Sequence, residues 1–155
     1  MILVNQKLEL KNVLSYRGVM NTEEINQKLF ILEKFIKDNN LKKGYMITTT
    51  YSMELVDGQQ KLDIEILCSV EQLKSIPDDF MLKPIFRLTN ALKISHYGNP
   101  ALLQNRAQQL IEYANTKCYT PITSIYNVTV VEPKSKEDIE NMQIDLYLGV
   151  SDNIL

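Results

Sequence analysis

Glu65 and Asp145 are acids set at the head of otherwise apolar runs, EILCSV and DLYLGV, and their positions differ by 80 residues. In an extended strand alternate side chains take opposite faces, so Ile144, Leu146, Leu148 and Val150 share one face while Asp145, Tyr147 and Gly149 share the other. The first face is core. The second carries a carboxylate beside a tyrosine, and Tyr51 and Tyr126 stand in strand-like segments of the same two halves. Carboxylates among phenol rings suit a cationic or amphipathic guest, through charge pairing and the attraction of a cation to ring faces. Asp145, Glu65, Tyr126, Tyr51 and Tyr147 are therefore the candidate ligand-binding residues. A basic partner for Asp145, such as Arg87 or a lysine, would weigh against a cationic guest.

Other reactive residue types offer less. His96 is the single histidine, which leaves no multi-histidine metal site and no scheme needing two imidazoles. It precedes Gly98 where a strand gives way to a helix, and a surface or packing role is the favoured reading for it and Tyr97. Cys68 and Cys118 lack metal-type spacing and read as buried free thiols. No nucleophile elbow is present, and neither a metal nor a cofactor is expected.

A chain of 155 residues with 45% hydrophobic residues can bury one good core, which fits a single domain over 1–155. A net charge of -2, with no basic run longer than Lys42-Lys43, argues against nucleic acid as a direct partner. The opening MILVNQKLEL is too short in apolar length for a secretory segment, and no membrane-length stretch follows, so no membrane insertion and a cytoplasmic location are expected.

The elements that would carry these acids are legible in outline. A strand over Glu9 to Tyr16 should end near Gly18, and Asn21-Thr-Glu-Glu24 offers a capping box for a helix from about Glu23 to Asn39. Ile25, Leu29, Leu32 and Ile36 recur at helical spacing, and Phe30, Ile31 and Phe35 widen the stripe, so the helix should bury one broad face. Segments Tyr45 to Val56 and Lys61 to Val70 meet at Asp57-Gly58, a hairpin turn. After Pro77 and Pro84 the order repeats: a strand from Thr89 to Tyr97, Asn99-Pro100 starting a helix with Leu103, Ala107, Leu110, Ile111 and Ala114 inward, then strands at Ile122 to Val131 and Met142 to Val150 around a charged connection, Pro133 to Asn141. Ser15 and Ser95, Gly18 and Gly98, and Val70 and Val150 are also 80 apart. The reading is an α+β fold of two tandem β-α-β-β modules, pseudo-repeats at about 8–70 and 88–150 joined by a linker at about 71–87. Helices would cover one face of antiparallel sheets, with the acids on a shared concave face opposite, where acids and tyrosines also occur as ordinary wet surface.

The run ALKISHYGNPALLQNRAQQLIEYANTKCYTP, followed by SIYNVTVV and IDLYLGV, resembles the GyrI-like, or AraC-type effector-binding, domains. Their pattern is a strand ending in H-x-G, a helix, a turn with proline, a strand with tyrosine and a last strand reading E-[LI]-x-[IL]-P-V. The resemblance implies a ligand cleft between two modules, with Asp145 as the acid that meets cationic lipophilic drugs and Tyr126 as the strand tyrosine. Aspartate stands where the family has glutamate, and Gly149 where it has proline. With the first module beginning within ten residues of Met1, no DNA-binding segment is expected ahead of it. The chain also resembles stand-alone Firmicutes proteins whose genes lie beside LXG-type toxins of the type VII secretion pathway. That resemblance implies a non-enzymatic accessory or chaperone-like factor binding a protein partner. The alternatives are a small-molecule effector-binding or sequestering protein and, third, a small-molecule hydrolase using Glu65 and Tyr126.

Overall fold

A computed structural model describes residues 1–154. Its elements run β1 (Leu3–Met20), α1 (Thr22–Asp38), β2 (Lys42–Val56), β3 (Gln59–Glu71), β4 (Met81–Tyr97), α2 (Leu103–Thr116), β5 (Tyr119–Val131) and β6 (Gln143–Ile154). Short 3-10 turns at Pro100–Leu102 and Lys136–Asn141 precede α2 and β6. The fold is α+β. The chain divides into two compact units, Leu10–Phe86 and Met1–Glu9 with Arg87 onward, called here the Glu65 unit and the Asp145 unit.

In the Glu65 unit, β3 is the middle strand, antiparallel to both β1 and β2. The β2–β3 turn is tight because Asp57 and Gly58 take φ of 52° and 76°, the left-handed pair that a two-residue hairpin needs. Helix α1 begins as its sequence demands: Glu24 N–H donates to Asn21 Oδ1 at 2.8 Å, and Asn21 N–H donates to Glu24 Oε1 at 3.2 Å. Its inner residues Leu32 and Ile36 bury against Leu14, Ile64, Ile66, Cys68 and Val70, and Phe35 packs on them, but Phe30 and Ile31, expected to widen that face, turn to solvent. Each such aliphatic side chain contributes roughly 1.5–3 kcal/mol on burial.

The Asp145 unit repeats that order, with β6 between β4 and β5 and antiparallel to both. Leu110 and Ala114 of α2 bury against Leu92, Ile94, Ile144, Leu146, Leu148 and Val150, and Ile2, just before β1, and Val4 within it pack on the same cluster, whereas Ile111, expected to face inward, is exposed. Asn99 caps the 3-10 turn rather than α2 itself, its Oδ1 accepting from Ala101 N–H at 3.0 Å.

Several boundaries differ from those expected. β1 starts at Leu3 and continues through Gly18 to Met20. β4 starts at Met81, eight residues before Thr89, so much of the expected linker is strand and Pro84 lies inside it. A proline ends a strand only where its missing N–H is needed by a neighbour. Phe80, within the expected linker, is buried in the Glu65-unit core. Cys68 is buried as expected, but Cys118 is exposed: it takes φ of 60° in the turn after α2, the left-handed position that ends many helices. Among the described residues no helix is long and apolar enough to cross a membrane.

Candidate functional site

Alternation along β3 puts Ile64, Ile66, Cys68 and Val70 under α1 and sends Glu65 to the opposite face. That face is not wet. Every residue from Ile64 to Val70 is buried, and Glu65 is only 3% exposed. A charge so placed must be satisfied by donors, and three converge on it. Ser15 Oγ donates to Oε2 at 2.5 Å, Tyr51 OH to Oε1 at 2.6 Å, and Lys83 Nζ to Oε2 at 2.5 Å. Each donor meets an ionised carboxylate, which makes all three bonds charge-assisted. Burial pushes the Glu65 carboxyl up, but the hydrogen bonds from Lys83, Ser15 and Tyr51 outweigh it and hold the group below the usual carboxylate range.

Tyr51 owes its aim to the backbone. The β2–β3 register shifts between Thr50 and Ser52, leaving Tyr51 as the extra residue of a bulge, a device that redirects a side chain. Its ring is clamped from outside, because the Arg17 guanidinium lies 3.7 Å from the ring centroid while pairing with Asp63 at 2.9 and 3.1 Å. Tyr51 is 38% exposed and the Lys83 side chain likewise 38%, so the buried carboxylate stands behind two groups that reach solvent.

Asp145, 5% exposed, is held differently. Ser95 Oγ donates to Oδ1 at 2.7 Å, Gln143 Nε2 to the same oxygen at 3.1 Å, and Lys93 Nζ lies 3.3 Å from Oδ2. Lys93 also lies 5.6 Å from the centroid of the Tyr147 ring. Burial lowers the Lys93 ammonium, and its interactions with Tyr147 and Asp145 raise it, with a net rise above its ordinary value. Tyr147 is buried, and Tyr126 stands opposite it in the β5–β6 ladder, whereas Val128 stands opposite Asp145.

The five candidate residues thus fall into two groups: Glu65 with Tyr51, and Asp145 with Tyr147 and Tyr126. The phenol of Tyr51 donates to Glu65 at 2.6 Å. The basic partner that weighs against a cationic guest at Asp145 exists, as Lys93; Arg87 instead pairs with Glu9 at 2.8 Å. Sequence reasoning missed Lys83, Lys93, Arg17 and Gln143 as site residues, and used Ser15 and Ser95 only as markers of repetition. Lys93 shares strand parity with Ser95, a signal that was available; Lys83 lay within the expected linker and gave none. His96 is buried, with its Nε2 2.8 Å from the Asn99 carbonyl, so it fastens the turn before α2. Among the described residues no group of three or more histidine, cysteine or acidic side chains could hold a metal ion.

No protein-family model and no curated protein matches the chain. Solved structures do. EcmrR in its complex with DNA superposes with a TM-score of 0.79 at 16% identity, over 99% of this chain and 58% of that one. The isolated EcmrR C-terminal domain gives 0.77 at 17% identity, over 99% and 98% of the two chains. A hydrolase from Listeria innocua gives 0.60 at 13% identity, over 95% and 92%. This chain therefore spans a little over half of EcmrR in the DNA complex and nearly all of the EcmrR C-terminal domain. At such identities the likeness shows the fold, which fits the GyrI-like fold implied by the sequence.

Proposed function

We propose that this chain is a non-enzymatic binding protein whose small, cationic or amphipathic guest is anchored at Glu65 and Tyr51. One observation carries the reading: a carboxylate 3% exposed is fixed by Ser15 and Tyr51, while its third partner, Lys83, is a flexible ammonium reaching solvent. A guest's cationic centre can take the place of that ammonium, whose side chain is 38% exposed where that of Lys93 at Asp145 is 21%, while the two hydroxyls keep the carboxylate oriented. Binding is favoured over catalysis because a general base works best with a pKa near the working pH, and the Glu65 carboxyl is held below even the ordinary carboxylate range. Asp145, Tyr147 and Tyr126 are assigned to the internal polar framework of their own unit.

The test is a thermal-shift series with alkyl-trimethylammonium ions of increasing chain length, followed by calorimetry. Saturation at 100 times the Kd should stabilise the wild type by about 2.7 kcal/mol, and Glu65→Gln should abolish the shift. No shift across the series, or equal binding by the variant, refutes the reading. Turnover of an ester or strained-ring substrate that disappears in Tyr51→Phe would make the protein a hydrolase instead.

A second reading, an accessory or chaperone-like factor for a protein partner such as a type VII secretion LXG toxin, draws on the β2–β3 arm, where Met53 and Leu55 stand exposed beside the Asp57-Gly58 turn. Co-purification with the product of a neighbouring gene, lost in Met53→Ser with Leu55→Ser, is its expected signature; a chain that stays alone in every such pairing counts against it.

A further inference from the structure

The outer face of α1 is apolar where the fold does not ask it to be. Leu32 and Ile36 already bury its inner face, yet Phe30 is 68% and Ile31 46% exposed. Thr22, Glu23, Asn26, Gln27, Phe30 and Ile31 together line a shallow depression on the solvent side. α2 supplies the control within the same chain. Its buried Leu110 and Ala114 lie 78 residues beyond Leu32 and Ile36, and at the same interval Gln108 and Gln109 stand for Phe30 and Ile31, with Asn105 for Gln27. That face of α2 is exposed and polar, with Gln108 donating to Glu112 at 3.2 Å. A helix in this setting therefore folds with polar residues at these two positions, its one exposed large apolar side chain among the described residues being Ile111 at 39%, and an adjacent exposed phenylalanine and isoleucine on one helix face mark a contact rather than a packing need.

We infer that this face takes a second copy of the chain, α1 against α1, antiparallel across a two-fold axis that passes between Lys28 and Leu29. Charge complementarity selects the occupant. Positions 23, 27, 30 and 34 follow one another at helical spacing along a single stripe, with 26 and 31 beside it. Turned upon itself antiparallel, the stripe sets Glu23 opposite Lys34 of the second copy, Gln27 opposite Phe30, and Asn26 opposite Ile31. Each apolar side chain then meets a neutral amide stem at the centre, and opposite charges close both ends. A parallel pairing would set Glu23 against Glu23. Lys34 is available for this contact, since its present partner Asp38, at 2.6 Å, forms an exposed i,i+4 pair of the kind that contributes little. A single helix face is smaller than the roughly 800 Å² per partner of a standard stable interface, so the dimer is weak and dissociates on dilution.

Sedimentation equilibrium over a concentration series tests the inference directly. The wild type should shift from monomer toward dimer as concentration rises, and Phe30→Ser with Ile31→Ser should remain monomeric throughout. Glu23→Lys and Lys34→Glu, each alone, should weaken association roughly tenfold, because symmetry places each change at both ends of the contact. The two combined should restore it. Far-UV circular dichroism of each variant checks that α1 itself survives, since Glu23 lies in the first helical turn where an acid favours the helix dipole. A wild type monomeric at every concentration overturns the inference. So does a dimer indifferent to Phe30 and Ile31, one not rescued by the double reversal, or an α1 face that becomes protected only when a different protein is added.

Discussion

Glu65 and Asp145 occupy equivalent places on the middle strands of their units, and each takes a hydrogen bond from a serine 50 positions earlier, yet the two carboxylates are reached by different routes. In the Asp145 unit, Ser95 stands directly opposite Asp145 across the β4–β6 ladder. In the Glu65 unit, Ser15 stands opposite Leu67, and Arg17 stands opposite Glu65. The register differs by two residues, which keeps every side chain on its face but turns a direct pair into a diagonal one. Directly opposite side chains start about 5 Å apart and diagonal ones about 7 Å, so the extra methylene of glutamate covers the added distance. The choice of acid follows the register. The aspartate that departs from the GyrI-like pattern is the length its ladder requires for Ser95.

A second device is exchanged between the strands. Ser69 on β3 faces Gly44 on β2 and accepts from the Tyr45 N–H at 2.9 Å, within a register shift between Lys43 and Met46. In the other unit the glycine sits on the middle strand: the Gly149 N–H donates to Thr123 Oγ1 of β5 at 2.9 Å, within the shift between Pro121 and Ile125. A Cβ at Gly44 would meet Ser69 Oγ at 2.1 Å, and one at Gly149 would meet Thr123 Cγ2 at 2.7 Å. Either way one strand supplies a hydroxyl for a stranded N–H, and the other gives up its side chain to make room.

The contrast between the two acids is broken most sharply at their lysines. Lys83→Met leaves Glu65 buried with two neutral donors and should cost about 2–3 kcal/mol, already reduced from the full penalty of an orphaned buried charge because Lys83 is partly exposed. Lys93→Met removes a longer, 3.3 Å contact and should cost about 1 kcal/mol. Equal losses in urea denaturation would mean the two carboxylates are held alike. Next, Gly149→Ala should cost about 1–3 kcal/mol by overpacking against Thr123, and Gly149→Ser combined with Thr123→Gly should recover most of it by installing the Gly44–Ser69 arrangement. Failure of that exchange would show that the two shifts are not interchangeable. Glu65→Asp, too short for its diagonal serine, should lose about 1 kcal/mol in the same assay.

The smallest effect is in acid. Because the Glu65 carboxyl is held below its ordinary 4.5, its contribution is fully present above that pH and is lost as the pH falls through the lower folded-state value. Wild type should therefore lose more stability than Glu65→Gln on going below pH 4.5. Asp63 and Asp138, also held low by hydrogen bonds from Arg17 and Asn141, leave a slope common to both proteins.

Much of this was legible in advance. The capping box at Asn21, the Asp57-Gly58 turn and the alternation in EILCSV and DLYLGV are local signals, and each fixed an element or a face. The acids' faces followed from parity alone. What escaped is non-local: Lys83 reaches Glu65 from a strand masked by Pro84, and the two-residue difference in register leaves every apolar pattern unchanged. Burial of the acids' face was also invisible, since Ser15, Thr49 and Glu65 read as a wet surface until their partners are known.

Chain order gives the division of the molecule a temporal side. Leu10–Phe86 is one unbroken stretch, whereas the other unit draws on Met1–Glu9 as well as Arg87 onward. During synthesis, the Glu65 unit has all its strands once β4 has begun to emerge. Ile2 and Val4 belong to a cluster whose remaining members run from Leu92 to Val150, far downstream of them in the chain. Ile2 and Val4 thus wait for strands made long after them, and until β6 is made the cluster they pack on is incomplete.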